Sequence, residues 1–279
     1  MSCSEVTVVR DGVRLSCRDW AGQGAPVVLL HGLAGHAGEW DGLARDLSPR
    51  HRVVAVDQRG HGASERQPRE VTRAAYVADV IAVVDRLGLD RPVLVGQSLG
   101  GHTAMLTAAA HPERIGGLVL VEAGAGGPSP DTPAEVGALL DAWPTPFPSR
   151  RAATEFFGGG PAGEAWAAGL EQRDGGWWPR FDREVMTASL AENATRSFWD
   201  EWAAVTCPTL AIWGQRGIIA PEEIDRMLRH RPATTAMSVL GAGHDVHLEQ
   251  PEIVREAVQR FLARTSQTVV PGRSGLSRA

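Results

Sequence analysis

The chain has 279 residues, 43% of them hydrophobic, and carries 33 acidic residues against 28 basic ones. That is enough for one large core. The mild acidic excess contains no run of five like charges, which argues against a nucleic-acid or membrane surface. Lysine does not occur, so Schiff-base chemistry, including that of pyridoxal phosphate, is excluded and the expected partner is a small-molecule substrate.

In chain order, residues 6–9 and 13–17, split by Asp11-Gly12, predict an opening β-hairpin. Strands then alternate with helices. Residues 26–30 read as a strand, 39–47 as a helix, 52–56 as a strand, and 72–87 as an amphipathic helix with Thr72 as its N-cap. A strand at 93–95, a helix from Gly100 to about Ala110 and a strand at 118–121 continue the series. Continuous Val/Leu strands in a βαβα rhythm predict a parallel sheet covered on both faces.

The rhythm fails between Gly124 and about Trp202, where Pro128, Pro130, Pro133, Pro144, Pro146 and Pro148 break the chain. It resumes with strands at 209–213 and 236–240 and helices at 221–229 and 251–263. The predicted organisation is core at 1–123, an inserted helical lid at 124–203, core again at 204–264, and a disordered tail at 265–279. Six of the nine tryptophans fall in or at the edge of the insertion. Most are expected to glue lid to core, with the adjacent pair Trp177-Trp178 expected to contact ligand. Cys3, Cys17 and Cys207 lack zinc spacing and read as reduced structural thiols. Residues 1–14 lack the apolar segment of a secretion signal and no stretch approaches 18 apolar residues, so a cytoplasmic protein is expected. On that expectation the sequon Asn193-Ala194-Thr195 is fortuitous. Gly158-Gly159-Gly160-Pro161-Ala162-Gly163 matches a dinucleotide fingerprint formally, but no apolar strand precedes it.

One junction carries chemistry. Gly96-Gln97-Ser98-Leu99-Gly100 follows the apolar run 92–95 and opens the next helix, the setting in which a turn holds a serine hydroxyl out of a sheet as a nucleophile. Backbone N–H groups at that helix N-terminus lie where an oxyanion forms. A serine needs a base. Of the nine histidines, His244 in Gly241-Ala242-Gly243-His244 sits on the loop between the last strand and the last helix and is favoured. His247 is expected to pack behind it, while His61 and His102 stay in view, the latter as a substrate contact.

Four ordered motifs, His31-Gly32-Leu33, Asp57 to Ser64, Gly96 to Gly101, and Gly243-His244 with Glu249 and Pro251, resemble those of the α/β-hydrolase superfamily over roughly residues 5–264. The resemblance implies an α/β fold with a mostly parallel eight-stranded sheet flanked by helices. It further implies Ser98 as nucleophile, His244 as general base, an oxyanion hole from the backbone N–H groups of Leu33 and Leu99, loop-bracing roles for Asp57 and Arg59, and no metal or other cofactor. At the usual place of the third triad member this chain has Gly217, and residues 215–220 hold no carboxylate. Glu122, ending the strand at 118–121, is the expected substitute, because neighbouring strands lie only about 4.8 Å apart. Certain haloalkane dehalogenases and the zearalenone lactonases place a Glu there. Asp245 serving as the acid, Glu122 in a supporting role, and no acid at all are the alternatives.

The resulting expectation is a serine hydrolase of a carboxylic ester or lactone of a small, fairly apolar molecule. C–C bond hydrolysis, lyase chemistry and cofactor-free oxygenation on the same fold remain alternatives, as does a degenerate homologue that only binds a small molecule.

Overall fold

The computed structural model describes residues 3–268. Strands β1 (Ser4–Arg10) and β2 (Val13–Asp19) form the expected antiparallel hairpin. There follow β3 (Val27–Leu30), a 3-10 turn at Ala37–Trp40, α1 (Asp41–Leu47), β4 (Val53–Val56), α2 (Arg73–Arg86), β5 (Val93–Gln97), α3 (Leu99–Ala110) and β6 (Gly117–Val121). Thr72 caps α2 as its sequence predicts, its hydroxyl accepting from the N–H of Ala75 at 3.2 Å.

The segment between β6 and the next core strand holds α4 (Thr132–Asp141), α5 (Arg150–Phe156), α6 (Gly160–Ala168), β7 (Glu171–Arg173), β8 (Gly176–Trp178), α7 (Arg183–Ala188), α8 (Ala191–Thr195) and α9 (Trp199–Ala204). It is not wholly helical: β7 and β8 pair as a separate two-stranded ribbon. The core then resumes with β9 (Thr209–Gly214), α10 (Pro221–His230), β10 (Thr235–Val239), α11 (Val246–Glu249) and α12 (Pro251–Thr268). Helix α12 runs past Arg264, so residues 265–268 are helical rather than the start of a tail; the rest of the expected tail lies outside the described residues.

Eight strands form one sheet in the order β1-β2-β4-β3-β5-β6-β9-β10. From β4 to β10 the neighbours are parallel. Every residue of β3, β4, β5 and β6 is buried, because helices cover both faces and strict in-out alternation gives way to continuous apolar runs. Alternate residues feed two separate cores: Val28, Leu30, Leu94 and Leu120 pack on one side, Val27, Leu29, Val95 and Val121 on the other. Each such side chain contributes about 1.5–3 kcal/mol when fully buried.

The sheet's C-terminal edge is pulled tight around β5. A Cβ on Gly96 would stand 2.3 Å from the carbonyl oxygen of Gly100, and one on Gly100 would stand 2.3 Å from that of Leu30. Only glycine at both places lets α3 seat directly on the ends of β3 and β5. Gly100→Ala is therefore expected to lower stability by about 1–3 kcal/mol through overpacking against backbone, read as a reduced urea midpoint; an unchanged midpoint contradicts this packing.

Candidate active site

Ser98 lies between the last residue of β5 and the first of α3, with φ 48° and ψ −115°. A non-glycine residue in this region costs about 1–3 kcal/mol and persists only when its surroundings enforce it. Here they do: the Ser98 N–H donates to the Val121 carbonyl at 3.0 Å, and the His102 N–H donates to the Ser98 carbonyl at 2.9 Å. Leu99, the first residue of α3, is buried at the positive end of the helix dipole. The loop after β3 comes up beside the serine, since a Cβ on Gly32 would be 3.5 Å from the Ser98 Cβ. Leu33 follows Gly32 on that loop and Leu99 follows Ser98 on α3, so the two expected oxyanion donors come from separate elements.

One strand over, Glu122 repeats the arrangement. It directly follows β6, has φ 48°, and its N–H donates to the Ile212 carbonyl of β9 at 2.9 Å. Its side chain is fully buried. Oε1 accepts from the Gly214 N–H at 2.7 Å, Oε2 accepts from the Ile218 N–H at 3.0 Å, and Oε2 faces the His244 Nδ1 at 3.4 Å. A Cβ on Gly217 would fall 2.1 Å from Oε1 and 2.3 Å from the carboxyl carbon. The carboxylate of Glu122 thus fills the space that a side chain at 217 would claim.

The other carboxylates near the histidine are engaged elsewhere. Asp245 Oδ2 accepts from the Trp166 indole at 2.8 Å, Glu249 Oε2 accepts from the Gly243 N–H at 2.8 Å, and Glu223 Oε1 accepts from the Gly126 N–H at 2.7 Å. Gln97, buried at the end of β5, donates its amide to the His244 carbonyl at 3.1 Å. It ties the loop of the histidine to the strand of the serine, and only its place beside Ser98 in the sequence hinted at such a role. Asp57 accepts from the N–H groups of Ala37 and Ala63, and Arg59 grips Asp79 through Nε and Nη2 at 2.6 and 2.7 Å. Both brace loops, as the resemblance implies.

His102 is buried on α3, with Nε2 3.2 Å from the Asn193 amide nitrogen and its ring edge-on to Phe198. Trp177 pairs through its backbone with Phe147 and packs on a small apolar cluster inside the inserted segment. The Trp178 indole donates to the Asp174 carbonyl of its own ribbon at 3.4 Å. The aromatic residues that meet the loop after β3 are instead Trp143, Trp166 and Phe181, which line a crevice with Ala34 and Gly35. Among the described residues no three His, Cys, Asp or Glu side chains gather as a metal site, and no helix is long and apolar enough to cross a membrane.

A family model described as alpha/beta hydrolase fold matches residues 25–251. A 2-hydroxy-6-oxononadienedioate/2-hydroxy-6-oxononatrienedioate hydrolase of Burkholderia vietnamiensis is 31% identical to the chain, over 93% of it and 95% of that protein. Esterase YbfF of Escherichia coli is 29% identical, over 85% of the chain and 93% of that protein. The crystal structure of E-2-(acetamidomethylene)succinate hydrolase superposes with a TM-score of 0.84 at 24% identity, covering 94% of this chain and 99% of that one, a likeness of fold.

Burial sets the charge state around the site. It holds His31 and His61 down to about 3 and His247 to about 4, and it keeps His102 well below the ordinary histidine value. Unfolded, all four titrate near 6.5, so below that pH the unfolded chain binds more protons and stability is lost as pH falls toward 4. Glu39 acts oppositely, since burial pushes it up to about 7 and its folded form holds a proton that the unfolded form releases above about 4.5. Four histidines outweigh one carboxyl. Stability by urea unfolding is expected to fall between pH 6.5 and 5 by about 1.4 kcal/mol per pH unit for each net proton; a flat profile over that window contradicts neutral burial of these rings.

Proposed function

The chain belongs to the α/β-hydrolase fold family, and on that footing we propose that it is a serine hydrolase cleaving a carboxylic ester or lactone through an acyl-enzyme, with Ser98, His244 and Glu122 as its triad. The observation that carries this reading is the pairing of a strained, glycine-flanked Ser98 with a Glu122 carboxylate that faces His244 Nδ1 from the space vacated at Gly217.

The mechanism follows from the placement of these groups. With Nδ1–H directed at Glu122, the imidazole keeps its lone pair on Nε2 for the serine proton. Ser98 Oγ attacks the acyl carbon as Nε2 takes that proton, and the carbonyl oxygen becomes an oxyanion held by the N–H groups of Leu33 and Leu99. The imidazolium, steadied by Glu122, returns the proton to the departing alkoxide; in a lactone this oxygen stays tethered to the acyl chain. Water, deprotonated by the same nitrogen, then releases the acid and restores Ser98. Segment 124–203 acts in this account as a lid whose Trp143, Trp166 and Phe181 receive the apolar part of the substrate.

C–C bond hydrolysis is the second reading, favoured by the 31% identity to a protein named for that activity. The same serine, base and oxyanion donors serve both reactions, so substrate turnover separates them.

A fluorophosphonate probe is expected to label the wild type and to leave Ser98→Ala unlabelled. Glu122→Gln is expected to lower ester turnover by about 10³- to 10⁴-fold, the scale on which a triad acid matters. A folded wild type that does not label contradicts the hydrolase reading; full turnover by Glu122→Gln removes Glu122 from the triad. Faster cleavage of a 2-hydroxy-6-oxo-dienoate than of any ester replaces the first reading with the second.

A further inference from the structure

Helix α6 of the inserted segment rests on two loops that each carry part of the proposed machinery. It packs against the 3-10 turn at Ala37–Trp40, which continues the loop after β3, and against α11, which opens two residues after His244. Consecutive residues of α6 make the bonds. The Ala165 carbonyl accepts from His36 Nε2 at 3.0 Å, and the Trp166 indole donates to Asp245 Oδ2 at 2.8 Å. His36 Nδ1 accepts from the Gly38 N–H at 3.1 Å, which leaves the ring proton on Nε2 for Ala165. Gly169 permits the approach, since a Cβ there would stand 2.8 Å from His36 Cδ2.

Beneath α6 the two loops also hold each other. The His36 N–H donates to Glu39 Oε1 at 3.1 Å, Glu39 Oε2 faces His247 Nε2 at 3.3 Å, and the His247 ring lies against Trp40 with centroids 4.5 Å apart. The side chains of Glu39 and His247 are buried. A circuit thus runs from the loop of Leu33 through Glu39 and His247 to Asp245, and returns through Trp166 and Ala165. Of the two links on α6, Trp166 is the one that touches the neighbour of the base.

His244 depends on its anchors. Its side chain is 32% exposed, so burial does not fix the ring, and Nδ1 lies 3.4 Å from Glu122 Oε2, longer than the about 2.7–2.9 Å of a close charge-assisted bond. Where the loop sits decides how near the ring comes. Gln97 holds the His244 carbonyl from the core, and Trp166 holds the Asp245 carboxylate from the inserted segment. The same indole lines the crevice beside Ala34 and Gly35, directly after Leu33.

We propose that Trp166 is a positioning residue whose indole N–H, acting through the Asp245 carboxylate, sets the place of His244 against Ser98 and Glu122. The contact then acts on turnover more than on binding, because a base better placed in the transition state raises kcat. This rests on the hydrolase reading above and adds to it a residue from the inserted segment.

The test takes kcat and KM on p-nitrophenyl butyrate, together with the rate of fluorophosphonate labelling, for Trp166→Phe, Asp245→Asn, Asp245→Ala and the double variant Trp166→Phe/Asp245→Ala, each checked for folding by circular dichroism. Trp166→Phe keeps a ring in the crevice and removes only the N–H donor. It is expected to lower kcat and the labelling rate on the order of 10-fold, the scale of one hydrogen bond to a charged group, while KM changes by less than about twofold. Asp245→Ala is expected to match that loss, the double variant to lose no more than either single one, and Asp245→Asn, whose amide oxygen still accepts, to retain most of kcat. A loss confined to KM, losses that multiply in the double variant, or full kcat and labelling in Trp166→Phe overturns the positioning role. So does an Asp245→Asn loss as deep as that of Glu122→Gln, which would make Asp245 the acid. A wild type that neither turns over ester nor takes the label defeats the hydrolase reading instead.

Discussion

The carboxylate of Glu122 and a side chain at position 217 cannot occupy the molecule together. The space is single, bounded by the Gly214 and Ile218 N–H groups that hold the carboxylate and by the His244 ring that faces it. Glycine at 217 and glutamate at 122 are therefore one feature written at two places in the chain. The loop after β9 can close over the carboxylate only because it brings backbone N–H groups and no Cβ.

The same constraint reaches the serine through the sheet. Ser98 and Glu122 both follow strand ends with φ 48°, and each donates its N–H to the next strand, Ser98 to Val121 and Glu122 to Ile212. Two strained residues on adjacent parallel strands are held by one hydrogen-bonded ladder, itself fixed by strands buried on both faces. Gln97 closes the circuit by holding the His244 carbonyl. On the reading proposed above, that rigid edge pre-positions nucleophile, base and acid.

Much of this was legible in the residues themselves. Runs such as Val27–Leu30 and Val53–Val56 announce buried parallel strands, and glycines around Ser98 announce a helix seated on strand ends. Gly217 where the resemblance leads one to expect an acid, with Glu122 ending the neighbouring strand, was enough to point to the carboxylate that faces His244 Nδ1 at 3.4 Å. The inserted segment was less legible, since its elements are short and stabilised by tertiary contacts rather than periodicity. The β7–β8 ribbon escaped notice despite the Asp174-Gly175 turn between its strands, because Glu171–Arg173 lacks a strand's apolar face. Trp177 and Trp178 drew attention by adjacency, whereas position in space brings Trp143 and Trp166 to the core loop.

Moving the acid tests the central claim most directly. Ester turnover is measured for Glu122→Ala, Gly217→Asp and the double variant, each checked for folding. The account predicts that both single changes lose activity, the first by removing the carboxylate and the second by crowding it. It also predicts that the double variant recovers at least tenfold over either single one, as the carboxylate introduced at position 217 takes the vacated space. Losses that simply add in the double variant, or full activity in Glu122→Ala, would contradict it.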